Sequence, residues 1–217
     1  MDEQISEYFK KVIGTDVAVE QLKHAVQRPN ITYMATPTIL SEEDLARVVG
    51  PEGSVDLVIV TEALHWFDLD SFYKNVKHVL RKPGGVFATI VYRSRPQISE
   101  AVNKVLDEFY AAIEQHWSPR VQLVEDEYRN LPFPFMSIPQ AEESNTPSFE
   151  ATMNADLDQF LSYLETWSAV QTAIDKGLDP LNEKQRRVFA EAWGSPETVR
   201  CLRWPLVVRV GTVPTES

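Results

Sequence analysis

The sequence predicts an α/β protein built on a mostly parallel, doubly wound sheet, and three observations predict it. Val55–Val60 and Val86–Tyr92 are continuous apolar runs bounded by turn residues, the pattern of strands buried on both faces. A stretch of helical periodicity, from Asp70 or Ser71 to Leu80, lies between them, with Phe72, Val76, Val79 and Leu80 on one face. Upstream the same alternation of short strand and helix extends towards the first residue, and strands alternating with helices pair in parallel.

Taken in order, Ile5–Phe9 reads as the last turns of a helix, and Lys11–Asp16 (KVIGTD) as a short strand ending in an acid. Val19–Gln27 has helical spacing, with Leu22 and Val26 on one face, and Ile31–Met34 is a second short strand. Ser41 is placed to cap a helix through Val49, its Ser-x-x-Asp pattern being close to a capping box. The strand Val55–Val60 follows, then a polar loop, the amphipathic helix and the Lys82-Pro83-Gly84-Gly85 turn into Val86–Tyr92.

The second half changes character. Ser99–Trp117 is predicted as one long helix, and Pro119–Pro147 as a connection rich in proline and aromatic residues, long enough for a functional lid over residues 118–147. Ser148–Met153 is predicted as a strand, Leu157–Lys176 and Glu183–Trp193 as helices. Leu202–Val213 is the last strand, with Pro205 marking a bulge or an edge. The reading is of a single domain over residues 1–217.

Charge and cysteine usage narrow the function classes. Lys+Arg 21 against Asp+Glu 32 gives a formal charge of −11, which disfavours a broad nucleic-acid or anionic-membrane surface. The basic cluster Lys74, Lys77, His78, Arg81 and Lys82 reads as the solvated face of its helix. One cysteine, Cys201, excludes an intrachain disulfide and fits a reducing compartment; its place in a strand-like run suits core better than nucleophile. No run approaches the ~18 apolar residues of a membrane span, and the acidic, polar start lacks a signal-peptide pattern. The expected location is cytoplasmic. The four histidines lack metal-ligand spacing.

Four segments together carry a resemblance: KVIGTDVA, SVDLVIVTEALHWFDLDSFYKNVKHVLRKPGGVFATIVY, EYRNLPFPF and YLETWSAV. They resemble the class I S-adenosylmethionine-dependent methyltransferases, most nearly the plant and fungal branch related to trans-aconitate methyltransferase. The likeness runs along nearly the whole chain; LHWFD and LRKPGG carry its specificity. It implies a Rossmann-like sheet, mostly parallel with an antiparallel last strand. It also implies S-adenosylmethionine as cofactor and a small-molecule substrate.

The chain departs from that pattern at its start. The family's first strand lies in the middle of the sheet and leads into a glycine-rich turn that contacts the methionine half of the cofactor. Neither is encoded before KVIGTD, so the expected fold is the family's sheet missing its N-terminal strand. Strands sit ~4.8 Å apart, so the vacancy would be nearly ~10 Å wide. Three outcomes are open: Lys11–Asp16 pairs directly with Val55–Val60, a partner chain supplies a strand, or this sequence is part of a longer product. An exposed sheet edge would suit a homodimer or heterodimer.

Ligands of open α/β sheets lie outside the carboxyl ends of the strands. The resemblance implies that Asp16, beside Val17, holds the ribose hydroxyls, since a carboxylate accepts two hydrogen bonds from vicinal hydroxyls. The plain alternative is a strand-end acid capping the next helix. Thr61, Glu62 and Ala63 follow the strand that passes near the transferred methyl group. His65 could accept a proton from a hydroxyl nucleophile or serve as packing beside Trp66. Trp66 could flank an adenine or belong to the core. Tyr128 and Arg129 fall in the segment that covers the family's substrate pocket. Arg129 could fork to a substrate carboxylate or bridge to Glu125 or Glu127. Trp167 could line the pocket from above or pack. The expected activity is O-methylation of a small carboxylate or hydroxyl. The alternatives are a relative that has lost methyl transfer and binds or isomerises a metabolite, and a non-catalytic partner of an intact relative.

Overall fold

The computed structural model describes residues 2–37, 39–138 and 149–214. The chain runs α1 (Asp2–Ser6), β1 (Val12–Asp16), α2 (Val19–Lys23), β2 (Ile31–Ala35), α3 (Glu42–Val48), β3 (Leu57–Thr61), α4 (Leu69–Val79) and β4 (Val86–Val91). It continues through α5 (Glu100–Ala112), α6 (Val121–Glu125), β5 (Met136–Ser137), β6 (Phe149–Ala155), α7 (Leu157–Glu165), α8 (Ser168–Asp175), α9 (Glu183–Trp193) and β7 (Arg200–Thr212). This is the Rossmann-like α/β class that the alternation predicts. β1 and β2 pair in parallel, from Val12↔Ile31 to Asp16↔Ala35. The larger sheet has the order β3-β4-β7-β5, with β6 also on β7, and β5 and β6 pair β7 antiparallel.

The backbone divides into two compact units. The described residues within 1–89, 133–143 and 209–217 form one, and those within 90–132 and 144–208 the other. In the first unit Tyr73 of α4 and Phe87 of β4 meet Phe133 and Phe135, with ring centroids 4.7–6.0 Å apart. In the second, Phe109, Phe160, Leu164, Val170, Phe189, Trp193 and Leu202 anchor one hydrophobic core.

Direct pairing of the KVIGTD and VDLVIV segments is not what the chain does. Among the described residues β1 has β2 as its strand neighbour and β3 has β4, and the two strands belong to separate sheets. β1 carries no fully buried residue and β3 buries Val60 alone.

Several boundaries differ from the sequence reading for local reasons. α1 ends at Ser6 instead of Phe9, and α2 stops at Lys23 instead of Gln27 because it buries no residue that would reward further turns. Val26 is 50% exposed. α5 ends at Ala112, followed by a separate 3₁₀ turn, Glu114–His116. The helix predicted over Leu157–Lys176 is two: Trp167 adopts extended backbone (ψ 132°), its ring 6% exposed among other aromatics. The described part of the Pro119–Pro147 connection contains α6 and β5, with Val121, Val124, Tyr128 and Phe135 buried; residues 139–148 lie outside the described set. The register against β6 runs through Pro205 without a bulge, from Phe149↔Leu206 to Ala155↔Arg200. Arg203 exchanges both backbone bonds with Gln97. Two residues on, the Pro205 nitrogen faces the same side, away from β6, so its missing N–H costs the β6 ladder no bond, the edge-like setting proline tolerates.

Caps behave as the sequence suggests. Ser41 Oγ accepts from the Asp44 N–H and donates to its carboxylate, and Asn182 accepts from the Gln185 N–H at α9. Gly85 closes the turn after α4: a Cβ there would stand 2.7 Å from the Arg81 carbonyl oxygen and 2.9 Å from Leu80 Cβ. Gly85→Ala is therefore expected to destabilise the protein by about 1–3 kcal/mol through overpacking, read as a lower urea midpoint at unchanged m-value.

Candidate functional site

In the first unit two loops at strand carboxyl ends carry the candidate cofactor residues. Asp16 closes β1, and its Oδ1 accepts from the Ala18 N–H at 2.7 Å, the N-cap position of α2. The capping alternative thus accounts for one carboxylate oxygen; the other has no partner among the described residues. Asp16 lines a cleft of about 170 Å³ with Gly14, Thr15, Gln21, Leu22, Ala25 and Tyr33. That volume lies below the ~300–1,000 Å³ of pockets that enclose a whole ligand, so it suits one ring or sugar. Val17, beside it, is 59% exposed.

β3 ends at Thr61, and the chain turns through Glu62, held at φ 52°. A side-chain-bearing residue in that left-handed region is strained, and such strain concentrates at ligand sites. Ala63 caps a single 3₁₀ turn, Leu64–Trp66. His65 is 7% exposed and its ring lies 4.7 Å from that of Trp66, which is 45% exposed. His65 is therefore largely enclosed beside Trp66. Trp66 is not core: its exposed face is free to stack on a planar ring.

The candidate substrate residues lie in the second unit. Tyr128 is fully buried, and both it and Glu127 sit at φ 55°. Arg129 bonds Glu127 at 2.5 Å, one of the two bridges its sequence context allows. Trp167 belongs to an aromatic cluster with Tyr110, Trp117 and Tyr163, and its indole N–H, like those of Trp117 and Trp204, has no acceptor among the described residues.

Sequence reasoning missed the group around the loop after β4. Arg95 donates from Nη1 to Asp107 (2.7 Å) and from Nη2 to Glu125 (3.4 Å), and its guanidinium lies 4.4 Å from the Tyr110 ring centroid. Arg93 Nε pairs with Glu127 at 2.9 Å. Tyr163 donates its hydroxyl to the Ser94 carbonyl, and Glu125 accepts from the Ser94 N–H. The run RSRPQ has no motif spacing; only its position directly after an apolar strand could have flagged it.

Comparison with known proteins places this geometry. The "Methyltransferase domain" family model matches residues 1–89. The solved structure of a candidate type II methyltransferase from Anaeromyxobacter dehalogenans is 33% identical, with a TM-score of 0.78, covering 97% of this chain and 84% of that one. The chain belongs to the class I S-adenosylmethionine-dependent methyltransferase family. A candidate methyltransferase of Dictyostelium discoideum is 27% identical over 176 residues, 80% of this chain and 62% of that protein. A Saccharomyces cerevisiae protein that carries the name of an S-adenosylmethionine-dependent methyltransferase is 36% identical over 87 residues, 37% of this chain and 28% of that protein. The chain thus spans less than two thirds of the length of these two curated relatives. No described helix is long and apolar enough to cross a membrane, and no described cluster of His, Cys, Asp or Glu has metal-site geometry.

Burial first, then the Glu125 charge, pushes the Tyr110 phenol up to about 12. Because the free phenol titrates near ~10, neutral Tyr110 contributes stability that is fully present below pH ~10 and lost as pH rises through about 12. In an ultraviolet titration Tyr110 should ionise among the last of the tyrosines; Tyr110→Phe should remove that step, and Glu125→Gln should bring it lower.

Proposed function

We propose that this protein is an S-adenosylmethionine-dependent methyltransferase acting on a small-molecule carboxylate or hydroxyl, on the branch related to trans-aconitate methyltransferase. The observation that carries the reading is Asp16: a strand-end carboxylate with one oxygen unengaged among the described residues, lining a sugar-sized cleft in a family that uses this cofactor. The branch rests on the LHWFD and LRKPGG segments.

The residues present fit the nucleoside end of the cofactor. Asp16, with Gln21 and Tyr33 in the same cleft, offers hydrogen-bonding groups for the ribose, and Trp66 offers an exposed ring for the adenine. When bound, the cofactor supplies a methyl group activated by its sulfonium. The protein's own share is orientation and proton handling. Thr61, Glu62 and Ala63 form the strained turn at the end of β3, and a fixed turn is what holds an acceptor oxygen in line. His65 takes the proton from a hydroxyl acceptor, whereas a carboxylate acceptor has none to lose. In the second unit Tyr128, Arg129 and Trp167 are the proposed substrate residues, with Arg129 able to exchange its Glu127 bond for a substrate carboxylate.

A second reading is favoured by one observation: β1 and β3 each have one strand neighbour among the described residues. Under it the protein is a relative without methyl transfer, joined to a partner through a sheet edge.

Titration calorimetry with S-adenosylmethionine and S-adenosylhomocysteine separates the two. Micromolar binding is expected, weakened about tenfold or more in Asp16→Ala through loss of charge-assisted bonds to the ribose. Absence of binding to either compound overturns the methyltransferase reading, and a stable complex in light scattering then supports the partner reading. An unchanged affinity in Asp16→Ala removes Asp16 from the site. If the acceptor is a hydroxyl, His65→Gln should lower kcat by about 10²–10⁴ with KM little changed; an unaffected kcat would point to a carboxylate.

A further inference from the structure

We infer that the cleft beyond the carboxyl end of β4, in the second unit, is a binding site for the carboxylate group of a small organic acid, held principally by Arg93 and Asn103. The cleft has a volume of about 300 Å³ and is lined by Arg93, Arg95, Gln97, Asn103, Leu106 and Asp107, with Pro96. It meets the lower bound of ligand pockets and lies where α/β sheets place their ligands.

The argument rests on which hydrogen-bonding groups are already used. Arg95 is spent: its two terminal nitrogens hold Asp107 and Glu125, and its plane rests over Tyr110. Arg93 is not. Its pairing with Glu127 uses Nε, and among the described residues its Nη1 and Nη2, the end-on pair of the guanidinium fork, have no partner. Asn103 is oriented by the Ile98 N–H, which donates to its Oδ1 at 2.9 Å. The amide nitrogen of Asn103 is left as a donor without a partner among the described residues. Gln97 is pinned through its backbone to Arg203, and its side-chain amide is likewise unengaged among the described residues.

The lining therefore offers surplus donors: a guanidinium edge and two amide groups, against the Asp107 carboxylate, already paired with Arg95. An ionised carboxylate accepts hydrogen bonds and donates none, and a planar fork matches its two oxygens. Charge in the group balances, Arg93, Arg95 and Arg129 against Asp107, Glu125 and Glu127, so the preference for a carboxylate rests on the unengaged donors and not on net charge. Arg93 is pre-set by Glu127, itself 15% exposed and held in left-handed backbone beside the fully buried Tyr128. Left-handed backbone of that kind persists only where the surrounding structure holds it, so Glu127 is a fixed anchor for Arg93.

The site goes beyond methyl transfer and requires no cofactor, so its test uses cofactor-free, full-length protein. Succinate is titrated into ¹⁵N-labelled protein and followed by the amide signals of residues 93–107, with neutral succinamide and inorganic phosphate as comparators. Saturable shifts with succinate, absent with succinamide, are expected. Arg93→Gln should weaken succinate binding about tenfold, with Arg93→Lys in between because an ammonium keeps the charge but not the fork. Asp107→Asn, at an exposed position, should tighten it several-fold by removing a neighbouring negative charge. It reads the same site with opposite sign, whether or not Arg93→Gln folds. No shifts in this segment, equal binding of succinamide, an unchanged affinity in both Arg93→Gln and Asp107→Asn, or phosphate bound more tightly than succinate would each overturn the assignment.

Discussion

The pairing capacity of β7 is the constraint on which the rest of the larger sheet depends. This thirteen-residue strand has β4 as a neighbour, takes β6 along Arg200–Leu206 and β5 at Gly211–Thr212. Without it β5 and β6 would have no ladder at all among the described residues. Its alternation supports the role: Leu202 and Trp204 are buried, whereas Arg203 and Pro205 are exposed. Gly211 permits the close approach of β5, since a Cβ there would stand 2.8 Å from both the Met136 carbonyl oxygen and Phe135 Cβ. β7 also contributes residues to both compact units.

Around the loop after β4, electrostatics are arranged in pairs whose members are unequally buried. Glu125 and Glu127 are 12% and 15% exposed at their side chains, whereas Arg93 is 53% exposed. Nearly buried carboxylates need partners, and the arginines supply them: Glu125 takes Arg95, and Glu127 takes Arg93 and Arg129. Because the acids are inside and the bases reach outward, the unused hydrogen-bonding capacity of the group points to donors. The adjoining Tyr110 stays neutral for the same reason, being desolvated and beside a fixed negative charge.

Much of the architecture was legible because it is encoded locally. The strands at Lys11–Asp16, Ile31–Met34 and Val86–Tyr92 lie within about a residue of β1, β2 and β4, and Glu183–Trp193 is α9. Apolar runs and caps act over a few residues, which a linear reading can see. Val55–Val60 was legible as β3 shifted by one to two residues, Val55 instead forming a lone bridge to Leu80. The break at Trp167 was not legible: the helical pattern continues through it, and most of the aromatic cluster that holds its ring, Phe109, Tyr110 and Trp117, is distant in sequence. Asp16 was legible as a site candidate because it ends a strand. Arg93 and Asn103 were not, because they converge only when the loop after β4 meets α5.

The sequence by itself determined the family, the α/β class and the placement of most elements, because hydrophobic period, turn residues and the LHWFD and LRKPGG segments are properties of neighbours in the chain. Tertiary structure alone decided which strands share a sheet, how far His65 and Trp66 are buried, and which nitrogens of Arg93 and Arg95 are already engaged. Those outcomes depend on contacts between residues distant in sequence, which no pattern of chain neighbours encodes.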